Sequence, residues 1–374
     1  MPANIAHMVI AHKALELLKT KKGSEVADFA QIIDDTSTAK NSRAYMNLGS
    51  IGPDLYYYCN IASSVKDMLT EGFVQAIGVA PWAYHLHSNQ VNIFPLKLGE
   101  ILFKDVIHEN GQLTLEANDI RKLAYIAGHL THIAADQIIH PVVNQIAKPY
   151  YRSGENRKKH RECEVFQDYF LYEEVYRDKR QTLRGRQKAT YDFFEQDFNK
   201  WVDCVPGLST KNTEDWFRYF LQRGFAETYG TFPEEEKIED SVDNLLLTLK
   251  ACKTLGPYKK AQEEYETDGP DSLMYREYIK DVNYVKFYEE AVRLAVIYII
   301  ALYEIYDVLK KGKDFIEKHK ERFLSIVSGA DLACPLEQNI CDKAYAALMN
   351  KKQTQSKYKK IFDPSTVSSG LSNR

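Results

Sequence analysis

The sequence predicts an all-α protein. Apolar residues recur at helical spacing in several long segments, and the apolar–polar alternation typical of strands is nearly absent. The chain has 374 residues, of which 44% are hydrophobic, so it can bury a sizeable core. We find no internal repeat and no long low-complexity linker, which favours a single helical domain over residues 1–349.

The first half of the chain contains two clear helices and one interrupted segment. Residues 7–20 read as an amphipathic helix that ends at the polar stretch KKGSE. Residues 41–60 contain Gly49, Gly52 and Pro53, which predict a structured loop. A second helix is expected to begin near Asn118 or Asp119, either of which could cap it, and to run until Pro141.

The second half is predicted to extend the helical domain. The segments that read as helices are 160–178, 190–203, 243–254 and 285–312. The most apolar run, LAVIYIIALY at 294–303, is half the roughly 20 residues that a membrane span needs, so we expect a core helix. The last residues, 350–374, are polar and predict a frayed tail.

The bulk chemistry excludes some classes of protein. A net charge of −3 gives no electrostatic footprint for duplex nucleic acid. The six cysteines are scattered without paired spacing, so we expect free thiols. The N-terminus has no signal-peptide pattern and no segment reads as transmembrane, so we expect a cytoplasmic protein.

Three histidines and an aspartate crowd the helix predicted before Pro141. At about 100° per residue, His129, His132, Asp136 and His140 fall on one stripe about 80° wide. The same helix is otherwise apolar, and burying several imidazoles with a carboxylate is costly unless something satisfies them. Imidazole nitrogen and carboxylate oxygen are ordinary zinc ligands, so the stripe favours a metal site over a packed core.

Further candidate ligands lie elsewhere in the first 160 or so residues. His160 and Glu164 are spaced to lie on one helix face, where they can bind one ion together. Asp54 follows a Gly-Pro turn from which it could turn inward. The other candidates are histidines near loops or helix starts: His7, His85 and His87.

These residues together resemble the zinc-dependent phospholipase C family, an all-helical superfamily with a trinuclear zinc site that also contains single-strand nucleases. The resemblance rests on the order of five motifs, AHMVIAHKALELL, GSIGPD, HSNQVNIF, THIAADQIIHP and HRECE, and covers residues 1–170. It implies a multi-helix bundle around a multinuclear metal site, with residues 171–349 as a helical extension.

The resemblance also implies roles for individual residues. The family's site would hold two or three zinc ions, and Asp136 would bridge two of them. Of these two, one would also be bound by Asp54, His87 and His132, and the other by His7. The third ion would be bound by His140, His160 and Glu164. The chain N-terminus, water or a backbone carbonyl would complete the third metal position, at His140, His160 and Glu164.

Some histidines remain with two interpretations. His85 is the alternative to His87, although an aromatic residue seven positions later favours His87. His129 is interpreted as a packed histidine or as a support for the ligands. His12 is about 140° from His7 around the helix, so the two do not share an ion. His108 and His319 are expected at the surface.

The implied activity is zinc-dependent hydrolysis of a phosphodiester. From its position on a loop, Asp54 is further hypothesised to accept a proton from the attacking water. The expected partner is a phosphate-ester small molecule or a phospholipid headgroup, with transient contact to a membrane surface. Tyrosines at 56, 57, 58, 84, 150 and 151 could line the site's mouth. The alternatives are a single-strand nuclease or nucleotidase, and a metal-stabilised binding protein without turnover.

Overall fold

The architecture is a bundle of helices packed around one long central helix. The computed structural model describes residues 4–20, 23–37, 39–59, 81–106, 108–109, 112–148, 153–177, 215–255, 257–313, 316–332, 339–350, 357–358 and 361–362. The helices are α1 (Asn4–Lys19), α2 (Glu25–Ile33), α3 (Ser42–Ser50), α4 (Gly52–Leu55), α5 (Pro81–Ser88), α6 (Ile93–Asp105), α7 (Ala117–Ala147), α8 (Gly154–Leu171), α9 (Asp215–Tyr229), α10 (Glu235–Leu255), α11 (Pro257–Asp268), α12 (Leu273–Tyr275), α13 (Tyr284–Lys310), α14 (Glu317–Ile326) and α15 (Ile340–Leu348).

Short irregular elements complete the bundle. Tyr56–Tyr58 and Gly269–Asp271 are 3-10 turns, and Tyr172–Arg177 and Arg276–Lys280 are π-helical turns. A two-residue strand, β1 (His108–Glu109), pairs antiparallel with β2 (Gln112–Leu113). Because this short strand pair is the only β-structure among the described residues, the all-α prediction is confirmed. The predicted helix 190–203 lies outside the described residues.

The central helix α7 is longer than the sequence predicts. It begins at Ala117, where the Asp119 carboxylate accepts the backbone N–H of Glu116. It does not end at Pro141, as predicted, but continues to Ala147. Pro141 removes one backbone hydrogen bond. Val142 and Val143 are buried after it, so tertiary packing outweighs the local preference to stop.

The predicted loop at 41–60 is wrong, because most of it is helical. Gly49 lies inside α3, where a β-carbon would sit 2.1 Å from the carbonyl oxygen of Tyr125 on α7. A β-carbon at Gly128 on α7 would likewise sit 2.1 Å from the carbonyl oxygen of Met46 on α3. The two glycines let the helix backbones touch, so here glycine serves close packing and not a turn.

The second half of the chain supplies the other wall of the core. The run predicted as a core helix, 294–303, is buried within α13, which packs along α7. No helix in the described part of the chain combines the length and apolarity required to cross a bilayer. Within the predicted tail, Tyr358 and Ile361 are buried, and residues 351–356, 359–360 and 363–374 lie outside the described residues.

Candidate metal centre

His132 and Asp136 stand one turn apart on α7, at the middle of the candidate site. Nε2 of His132 lies 3.2 Å from Oδ2 of Asp136. The other ring nitrogen, Nδ1, lies 3.0 Å from the carbonyl oxygen of Ser50, at the end of α3. The Gly49–Gly128 contact brings that carbonyl close to α7. A proton on Nδ1 donated to Ser50 leaves the lone pair of Nε2 facing the site.

His7 reaches the same carboxylate from α1. Its Nε2 lies 3.3 Å from Oδ1 of Asp136, and its ring stacks on that of His132 with centroids 4.1 Å apart. The start of α1 is fixed by Asp168 of α8, whose carboxylate accepts the backbone N–H groups of Ile5 and Ala6. A carboxylate is favourable at this helix end because it faces the positive end of the helix dipole.

Asp54 and His87 form a third side of the site. The Gly-Pro turn at the start of α4 carries Asp54 inward, where Oδ1 lies 3.1 Å from Nε2 of His87. Nδ1 of His87 lies 2.7 Å from the carbonyl oxygen of Ala83, one turn back on α5. Nε2 of His87 is also 3.7 Å from Asp136, so both residues belong to the same cluster.

His140, His160 and Glu164 form a group beside the others. Oε1 of Glu164 lies 2.9 Å from Nε2 of His160 and 3.5 Å from Nε2 of His140. Nε2 of His140 is 3.6 Å from Asp136, which connects this group to the rest. The spacing of His160 and Glu164 therefore does place them on one face of α8.

All eight predicted ligands are thus brought together by the fold. Their donor atoms form three groups in which every pair lies within 4.8 Å: His7, His132 and Asp136; Asp54, His87 and His132; His140, His160 and Glu164. Ligands of one tetrahedral zinc at 2.0–2.2 Å are separated by about 3.4 Å. The nitrogen–oxygen separations of the cluster have that size, and its nitrogen and oxygen donors suit zinc.

The centre holds buried negative charge, and no lysine or arginine among the described residues pairs with Asp54 or Asp136. In the described part of the chain, the ion-pair partners of Asp54 and Asp136 are all imidazoles. Oδ2 of each carboxylate and Nε2 of His132 are buried and make no hydrogen bond to a described residue. Buried polar atoms without partners are costly, and a bound cation would satisfy them.

The carboxylates raise the proton affinity of some imidazoles. Burial lowers the pKa of His140, but the charge of Asp136 and the hydrogen bond to Glu164 outweigh it and raise the pKa to about 10. Burial raises the pKa of Asp54, but the charge of His132 and the hydrogen bond from His87 outweigh it, so the pKa falls. Asp54 is therefore ionised at neutral pH, and the site attracts positive charge.

The remaining histidines stay outside the cluster. His129 packs against Phe94, with ring centroids 5.2 Å apart, and is a packed histidine. His85 stacks on Tyr229 instead of turning to the site, so the geometry favours His87. His12 bonds to Asn47, and His319 accepts the backbone N–H of Ile316. The side chain of His108 lies outside the described residues.

The sequence did not identify the groups that orient the ligands. Ser50 and Leu332 act through backbone carbonyls, which leave no mark in a sequence. Asp168 could have been found, because it continues the spacing of His160 and Glu164 by one more turn of the same helix face.

Comparison with known proteins agrees with this geometry. The model of the family described as zinc-dependent phospholipase C matches residues 6–205 of the chain. No curated protein and no solved structure is significantly similar to the chain. The matched family implies zinc and suggests a hydrolase of the phosphodiesterase type. Because the match covers more than half of the 374 residues and includes the whole cluster, the chain belongs to the zinc-dependent phospholipase C family.

Proposed function

We propose that the protein is a zinc-dependent phosphodiester hydrolase that acts on phospholipids or related phosphate esters. The observation that carries the proposal is the convergence of five histidines and three carboxylates, from five helices, on one buried cluster. Such a cluster is unfavourable as a purely structural core. Among the described residues, the only ion-pair partners of Asp54 and Asp136 are imidazoles.

Two or three zinc ions would occupy the cluster. Asp136 would hold two of these ions, since its two oxygens face different neighbours: Oδ1 lies near His7 and His140, whereas Oδ2 lies near His87 and His132. His140, His160 and Glu164 would hold a separate ion. Residues 1–3 lie outside the described part, and either the chain N-terminus or water would complete the position of this third ion.

The chain's own residues would divide the work of hydrolysis. When bound, zinc makes water reactive at neutral pH and neutralises the charge of a phosphate ester. Asp54 is ionised, and its Oδ2 makes no hydrogen bond to a described residue, so it is available to accept a proton from the attacking water. His132 and His87 hold Asp54 and Asp136 in place, and burial keeps bulk water away from the reacting groups.

The substrate part of the proposal rests on the aromatic surroundings. Tyr57 is half-buried, with its ring 5.5 Å from that of His87, and Tyr84 is 55% exposed on the same helix as His87. Both suit contact with a lipid at a membrane surface, where tyrosine is favoured. Tyr56 and Tyr58 are buried and cannot line a mouth, and 150–151 lie outside the described residues.

Metal analysis combined with a hydrolysis assay tests the proposal. We expect two or three zinc ions per purified chain and release of a phosphorylated headgroup from phosphatidylcholine vesicles. A chelator should abolish the activity, and added zinc should restore it. Asp54→Asn should lower turnover at least 100-fold. The matched control is Asp28→Asn, an exposed aspartate on α2.

Each result separates one alternative. Cleavage of single-stranded DNA but not of phospholipid would assign the protein to the nuclease branch. Zinc that raises the melting temperature without any hydrolysis would indicate a binding protein. Asp54→Asn with full zinc content and full turnover would remove the proton-accepting role.

A further inference from the structure

A short segment from the second half of the chain crosses the edge of the metal centre. This segment, residues 327–332, follows α14 and is called the C-terminal strap. It lies beyond residues 6–205, which the family model matches. Its two ends, Val327 and Leu332, are fully buried, whereas Gly329 and Asp331 between them are exposed. The strap is therefore pinned at both ends.

One end of the strap bonds to two of the proposed ligands. The carbonyl oxygen of Leu332 accepts a hydrogen bond from Nδ1 of His140. The backbone N–H of Leu332 donates to the carbonyl oxygen of His87, at 2.8 Å. A single residue of the strap thus connects a ligand on α7 with the end of α5.

The other end of the strap is held by side chains from α7, from α13 and from the residue just before α6. The hydroxyl of Tyr298 on α13 accepts the backbone N–H of Ser328, at 3.1 Å, and donates to Oε1 of Gln137, at 2.7 Å. Nε2 of Gln137 closes the ring by donating to the carbonyl oxygen of Ser328, at 3.1 Å. Asn92, before α6, donates to the carbonyl oxygen of Val327, at 2.8 Å.

His140 differs in this respect from the other histidines of the cluster. His132 is oriented by Ser50 on a packed helix, and His87 by Ala83 on its own helix. The ring of His140 takes its orientation from the strap. A hydrogen bond at Nδ1 fixes the tautomer in which Nε2 carries the lone pair. That nitrogen lies 3.5 Å from Glu164.

We propose that the C-terminal strap is a working part of the metal centre, with Tyr298 as the positioning residue that holds it, and that it sets the affinity of the ion at His140, His160 and Glu164. The inference rests on the proposed zinc centre. It gives the second half of the chain a role in the site, since groups that orient a metal ligand typically change metal affinity 10–100-fold when they are altered.

Zinc titration of Tyr298→Phe and of the double variant Tyr298→Phe/Asn92→Ala tests the strap. The control is Tyr288→Phe on the same helix: Tyr288 is equally buried, and its hydroxyl makes no hydrogen bond to a described residue. We expect one ion of the set to bind about tenfold more weakly in Tyr298→Phe, and more weakly still in the double variant. The visible spectrum of the cobalt-substituted protein should change in both, and not in the control.

The outcomes separate the strap from the centre itself. If both strap variants kept the zinc affinities and the cobalt spectrum of the unaltered protein, while their melting temperatures fell, the strap would only stabilise the fold and the inference would be overturned. If the unaltered protein bound no zinc, the proposed function would fail and the strap's role with it. Equal weakening in Tyr288→Phe would also overturn the inference, because the effect would belong to α13 in general.

Discussion

Two buried aspartates of this protein are satisfied in opposite ways. Asp34, at the end of α2, is paired with Lys19 and Arg43, and one Arg43 nitrogen lies 2.8 Å from it. Asp136, on α7, is as deeply buried, but its ion-pair partners in the described part of the chain are four imidazoles. The chain thus supplies permanent positive charge at one site and withholds it at the other.

The difference supports the proposed metal centre at Asp136. Burial raises the pKa of Asp34, but hydrogen bonds from Arg43 and Lys19 outweigh it and lower the pKa. Burial also raises the pKa of Asp136, and there the charges of His140 and His132 lower it. Arginine and lysine keep their protons, whereas imidazole can release its proton and bind a metal instead. The Asp34 cluster is complete in itself, whereas in the proposed function a zinc ion would complete the Asp136 cluster.

The largest expected effect separates the two aspartates by their response to zinc. Asp136→Asn should lose zinc, lower hydrolysis more than 100-fold and remove the rise in melting temperature that zinc produces. Asp34→Asn should lower the melting temperature of the metal-free and zinc-loaded forms alike, leaving that rise unchanged. Melting curves with and without zinc measure both. An undiminished zinc response in Asp136→Asn would contradict the comparison.

Acid should separate the same two regions at different pH. A carboxylate whose pKa is lower in the folded than in the unfolded protein stabilises the fold above its unfolded pKa, and this contribution disappears as pH falls through the folded pKa. Asp34→Asn should therefore cost about 1–2 kcal/mol of unfolding free energy at neutral pH, a modest value because Arg43 is partly exposed. The cost should begin to fall near pH 4, the ordinary pKa of an aspartate, and should vanish only below the lowered pKa of folded Asp34.

As pH falls, zinc binding should weaken before the contribution of Asp34 does, because imidazole must be deprotonated to bind a metal. The free energies of unfolding of the unaltered protein and of Asp34→Asn, measured from pH 3 to 8 with and without zinc, would show the loss of zinc binding and the loss of the Asp34 contribution. A cost of Asp34→Asn that persisted unchanged to pH 3 would show that its ion pairs do not carry the stability.

Much of this could be predicted from the sequence, for a physical reason. Helical spacing shows which face of a segment is buried, so α1, α7 and α13 were recognisable. Each ligand stands within a motif whose residue types suit zinc, and the resemblance to a family supplied the distant pairings that periodicity cannot give. The structure brings those residues together.

The errors share a cause as well. Gly49 and Pro141 were interpreted from local preference, and in both places contacts with distant helices decide the conformation. The carbonyls of Ser50 and Leu332 could not be found, because every residue carries one and only the fold selects which carbonyl meets a ligand.

The smallest expected effect concerns His129, one turn from His132 on the same helix. Both of its ring nitrogens are buried without a hydrogen bond to a described residue. Burial, with smaller contributions from His132 and His87, holds the pKa of His129 well below its usual range, so the ring is neutral.

An unsatisfied buried polar group costs about 1–3 kcal/mol, and leucine of similar size avoids that cost. His129→Leu should therefore stabilise the protein by about 1 kcal/mol in urea unfolding and keep every zinc ion. His132→Leu, its matched control, should lose zinc. Loss of zinc in both variants would place His129 inside the centre and end its interpretation as a packed residue.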